Sequence, residues 1–147
     1  MDDLATLIRL HKLELDEKRR VLAAIEARVA EAQAVRRALD AEMAAEKERA
    51  QATFEGGLTL GAYTKAALKR REQLDARIAQ LLREAEAARE VVREAFAEVK
   101  RFELAKEARD AAEAAVAARR ETLAFDETAA GRHQRQRAGG SSDTEQG

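Results

Sequence analysis

No proline occurs anywhere in this 147-residue chain, and its seven glycines fall only at 56, 57, 61, 131, 139, 140 and 147. Proline costs roughly 3 kcal/mol inside a helix and glycine about 1 kcal/mol, so these residues decide where a helix must stop. Two long stretches, 2–55 and 62–130, contain neither. Such a chain is limited to two long helices, one breaker zone and a polar end. Composition agrees. Ala, Glu, Lys, Leu and Arg fill 97 positions, 35 of them Ala, the usage of long helices and coiled coils. Four Phe, one Tyr and no Trp cannot fill a thick core, but the aliphatic residues can line a thin two-helix seam.

The apolar residues repeat with alternating spacings of three and four. In the first stretch the seam reads Leu4, Ile8, His11, Leu15, Lys18, Leu22, Ile25, Val29, Ala32, Arg36, Leu39, Met43, Glu46 and Ala50. In the second it reads Leu60, Thr64, Ala67, Arg71, Leu74, Ile78, Leu81, Ala85, Ala88, Val92, Ala95, Val99 and Phe102. Asp2 or Asp3 can cap the first helix. Three glycines in Thr53–Gly61 favour a chain reversal, and a short connection makes the helices antiparallel neighbours.

The expected fold is therefore all-α: an antiparallel coiled-coil hairpin over 1–130, with a disordered polar tail over 131–147. Helix 1 covers about 2–52, the turn about 53–61 and a longer helix 2 about 62–130. Leu22, Ile25 and Val29 are expected to face Val92, Val99 and their neighbours. Beyond Phe102 the repeat meets Lys106, Arg109 and Glu113. Folding back from the turn, helix 1 ends opposite roughly Asp110, so about fifteen to twenty residues of helix 2 should have no partner within the chain.

The residues exclude several functions. With 27 basic and 28 acidic residues, net charge -1, there is no basic excess for general nucleic-acid binding. There is no Cys, hence no disulfide and no thiolate chemistry. No apolar run approaches the roughly 20 residues that cross a bilayer, so no membrane insertion is expected. The N-terminus lacks a signal-peptide core, and a cytoplasmic protein is the default.

No phosphate-binding glycine loop and no Ser-His-Asp set occurs. A metal site at His11 would need ligands that the only other histidine, His133 in the tail, does not supply. The plain role of His11 is a polar seam residue that sets register. Lys18 and Arg36 are read as seam residues whose stems cover the seam while their charges reach water, with a role in setting which helices pair as the alternative. Arg132, Arg135 and Arg137 are read as a solubilising basic end, with contact to an acidic protein or lipid as the alternative. No enzyme, cofactor or metal is expected. Apolar residues beside the seam (Leu7, Leu10, Val21, Val35, Leu68, Leu82, Val91 and Phe96) exceed what one hairpin can cover and point to protein partners.

The opening Leu7-Ile8-Arg9-Leu10-His11-Lys12-Leu13-Glu14-Leu15-Asp16-Glu17-Lys18-Arg19-Arg20 resembles the start of the flagellar export protein FliJ family. The stretch from Ala95-Phe96-Ala97-Glu98-Val99-Lys100-Arg101-Phe102-Glu103 through Arg119-Arg120-Glu121-Thr122-Leu123-Ala124-Phe125-Asp126-Glu127 resembles that family's C-terminal helix. The likeness spans about 4–130 and is nearest to the Ala- and Arg-rich alphaproteobacterial members.

The resemblance implies a cytoplasmic stalk of the flagellar type III export apparatus, peripheral to the inner membrane. Its partners would be the hexameric export ATPase, the export gate membrane protein and, for some members, export chaperones. It places the helix ends in the ATPase ring and the turn toward the gate. Arg9, Arg19 and Arg20 at one end, with Val116, Arg119, Arg120, Leu123, Phe125, Asp126 and Glu127 at the other, are then the expected ATPase contacts. Phe54 and Tyr63 are the expected gate contacts. Two other classes stay open: a structural or chaperone-like coiled-coil scaffold unrelated to flagella, and a membrane-surface helical protein. The last would need a strongly basic amphipathic helix, and the charges of residues 1–20 are too balanced for one.

Overall fold

The computed structural model describes residues 2–142, with side chains described through Gly139. They form two helices, α1 (Asp3–Gln51) and α2 (Phe54–Ser142). Asp2 caps α1: its carboxylate accepts the Leu4 N–H at 3.1 Å, and Asp3 adds negative charge in the first turn, where the helix dipole favours it. The helix closes at Ala52, whose N–H donates to the Arg49 carbonyl at 3.2 Å.

Only Ala52 and Thr53 separate the helices, so the expected turn over 53–61 is far shorter in the structure. Thr53 is the reason. Its Oγ1 accepts the Gly56 N–H at 3.0 Å and caps α2, a role open to any threonine ahead of a helix. Gly56, Gly57 and Gly61 all lie inside α2, and no described residue has positive φ. Gly56 is where the missing side chain matters. A Cβ there would lie 2.9 Å from Ala50 Cα and 2.7 Å from Thr53 Oγ1. Glycine thus lets the first turn of α2 close on the last turn of α1, and that contact outweighs its poor helix propensity.

The far end also differs. A tail was expected from 131, yet α2 continues to Ser142. Extending an existing helix fixes one residue per hydrogen bond, without the unfavourable nucleation step. A lone Gly131 followed by Arg, Gln and Ala residues does not stop it. The expected tail residues 143–147 lie outside the described residues.

The chain divides into two units, residues 1–100 and 101–147. In the first, α1 and the opening half of α2 form the antiparallel hairpin. Its core is Ile8, Leu15, Val29, Leu39 and Ala50 from α1 with Ala67, Leu81, Ala85 and Val99 from α2. Of the fourteen seam positions read in α1, Lys18 alone is exposed, and all thirteen read in α2 are buried or half-buried. Leu81 is 1% exposed and Ala85, one turn on, 0%.

Ion pairs between the helices give the register: Arg36–Asp75 at 2.9 Å, Arg71–Asp40 at 3.7 Å and Arg89–Glu26 at 3.5 Å. Glu26 beside Arg89 puts the Ile25–Val29 stretch opposite the region around Leu81–Arg89. Val99 accordingly lies nearer the start of α1 than expected. Arg36 does more than cover the seam. Its Nε bonds Asp75, and a second nitrogen bonds Asp40 on its own helix. This holds the Asp75 carboxyl below its ordinary range, because Arg36 stabilises the charged form, and raises the Arg36 guanidinium, chiefly through Asp75.

In the second unit no described residue is buried.

Candidate partner-binding surface

Every residue from Asp110 to Ala130 is exposed. This stretch includes three large apolar side chains, Val116 at 45%, Leu123 at 62% and Phe125 at 75%. Helical geometry divides them. Seven residues are nearly two turns, so Val116 and Leu123 share one face, along with Glu113, Arg120 and Glu127. Phe125, nine residues from Val116, points to the opposite side. There it lines a shallow groove with Glu121, Ala124, Thr128, Ala129 and Arg132. The residues grouped by sequence as one contact set thus form two faces of one helix.

Arg119, Arg120, Asp126 and Glu127 are exposed. None has an opposite charge three or four residues away, the spacing at which helical ion pairs form. Elsewhere such pairs are common: Arg20–Glu17 at 2.8 Å, Arg49–Glu46 at 2.6 Å, Arg93–Glu90 at 2.5 Å and Lys106–Asp110 at 2.7 Å. Lys106 holds the Asp110 carboxyl below its ordinary range. Arg93 and Arg89 do the same for Glu86.

In α1, Arg9 is exposed. Arg19 and Arg20 are engaged at their own surface, with Asp16 at 3.7 Å and Glu17 at 2.8 Å. His11 sits half-buried 3.3 Å from Glu14, beside a groove that Val91, Glu94 and Glu98 of α2 also line. Among the described residues no group of three or more His, Asp or Glu is placed to hold a metal ion, and no helix is long and apolar enough to cross a membrane.

At the hairpin end Phe54 is 83% exposed. Tyr63 is half-buried, and its hydroxyl is buried on the side of Glu42. Burial, with the carboxylates of Glu42 and Glu46 nearby, pushes its pKa up. The two expected gate residues are therefore unlike: one is displayed and the other packed. Leu58, 71% exposed, lies one turn from Phe54, in the stretch that the glycines mark by sequence as a turn. Leu13 and Leu104, 62% and 63% exposed, join the apolar residues beside the seam, and their spacing off the repeat is the signal that marks them.

The family model for the flagellar FliJ protein matches residues 1–138. The chain belongs to the FliJ family. The match takes in both helices and continues past Gly131. FliJ membership makes this a flagellar export component, of a family without catalytic activity of its own. No curated protein and no solved structure matches the chain.

Proposed function

We propose that this FliJ-family chain is a stalk that couples the export ATPase to the export gate. It would work in the cytoplasm, at the inner-membrane face of the flagellar export apparatus. Two segments bind the ATPase hexamer: Asp110–Ala130 of α2 and Asp2–Arg20 of α1. The observation that carries this reading is the uninterrupted exposure of Asp110–Ala130. A single Ala-rich helix that buries nothing is marginal in water, and a partner covering it stabilises it. Val116, Leu123 and Phe125 supply apolar contacts, and Arg119, Arg120, Asp126 and Glu127 ionic ones. Arg9, Arg19 and Arg20 serve the α1 segment. The end bearing Phe54 faces the gate, with Tyr63 supporting it from within the hairpin. Export chaperones are further partners of the same apparatus.

The test is a binding titration of the full chain against the purified export ATPase. Val116→Asp with Leu123→Asp should abolish binding, and Phe54→Ala should leave it unchanged. The opposite pattern reverses the orientation. A full chain that binds neither the ATPase nor the gate returns the protein to the plain scaffold reading.

A further inference from the structure

The seam repeat does not stop at Phe102. Counting in sevens from Val99 gives Lys106, Glu113, Arg120 and Glu127, and counting from Phe102 gives Arg109, Val116, Leu123 and Ala130. One row therefore alternates in charge sign while the other is mostly apolar. Within 113–130 this seam is wholly exposed, and its charges, with the flanking Arg119 and Asp126, have a linear order. A basic pair (119, 120) precedes an acidic pair (126, 127), and neither can be satisfied within the helix at the i,i+3 or i,i+4 spacing.

We propose that this face pairs with a second copy of the chain, antiparallel, about a two-fold axis that passes between Glu121 and Thr122. The register follows from the repeat. In an antiparallel coiled coil each position of one row packs against the other row of its partner. With the axis placed there, Val116 packs on the stem of Glu127 of the second copy, and Leu123 on the stem of Arg120. The same register puts Arg119 opposite Asp126 of the second copy at the flank and leaves Arg120 diagonal to Glu127. By symmetry each contact occurs twice, as an isologous interface requires.

Ala117 then lies opposite Ala124, so the flank without ion pairs consists of small residues and the helices can approach closely. Residues 113–130 make a contact about 27 Å long. A seam this thin belongs with transient interfaces, those that bury under about 1,200 Å², and its ionic share makes it salt-sensitive. The charge order favours a second copy over an arbitrary helix, because one sequence supplies both halves of every pair. The inference is independent of the ATPase reading, in which the ATPase and the second copy would compete for one face.

Sedimentation equilibrium of the full chain over a concentration series, at low and high salt, tests it. Wild type should associate reversibly to a dimer at low salt and dissociate as salt rises. R119E/R120E makes all four of these charges acidic and D126R/E127R makes all four basic. Each variant alone should stay monomeric, its association weakened roughly tenfold or more, while an equimolar mixture should dimerise. These side chains are exposed, so circular dichroism should show all forms equally helical. The proposal is overturned if wild type stays monomeric at every concentration, if each variant associates as wild type does, or if the mixture stays monomeric.

Discussion

Leu81 and Leu82 are chemically identical neighbours on α2 with opposite fates, and the comparison tests the whole seam assignment. Leu81 is 1% exposed and Leu82 45%, since one residue turns the helix about 100°. Replacing Leu81 by Ala removes three buried carbons, at about 0.8 kcal/mol each. A cavity term adds to that, but a seam one side chain thick opens to solvent at both flanks and can partly collapse. The expected loss is about 3 kcal/mol. For a hairpin of this size that lowers the melting temperature by about 10–20 °C. Leu82→Ala should cost about 1 kcal/mol or less. Urea and thermal unfolding followed by circular dichroism at the helical band measures both. Equal losses would refute the register, because no antiparallel pairing of these helices buries both leucines.

Two further outcomes follow from the same geometry. Gly57→Ala and Gly61→Ala should each raise stability by about 0.5–1 kcal/mol, since a Cβ at either meets nothing within 4 Å and Ala is the better helix former. Gly56→Ala should lower stability by about 1–3 kcal/mol, because its Cβ meets the Ala50 backbone; thermal melts of the three variants decide it. The Asp75, Glu86 and Asp110 carboxyls all sit below their ordinary values when folded. The unfolded chain therefore binds protons first as acid is added. The melting temperature should be flat above about pH 5 and fall below about pH 4. Arg36→Gln should flatten part of that fall, which a melt series across pH would show.

The sequence by itself determined that the chain is two antiparallel helices and which residues line their seam. The physical reason is that helix periodicity and the absence of Pro are local properties: a residue's face follows from its number. Exposure of the Asp110–Ala130 stretch was legible by counting, since helix 1, folded back from the turn, runs out of residues opposite about Asp110. The division of Val116 and Leu123 from Phe125 is legible too, from spacing alone, since nine residues turn a helix by half a circle.

Only the tertiary structure decided three other matters. The chain reverses at Ala52 and Thr53, with the glycines left inside α2, because the close approach of Gly56 to Ala50 is a contact between helices that no local propensity encodes. Tyr63 is packed where Phe54 is displayed, because α1 lies against one and not the other. The pairing of Arg36 with Asp75, and of Glu26 with Arg89, sets which turn of α1 meets which turn of α2. A seven-residue repeat is satisfied by any slip of one heptad, so the choice among slips falls to the charges and to the length of the turn.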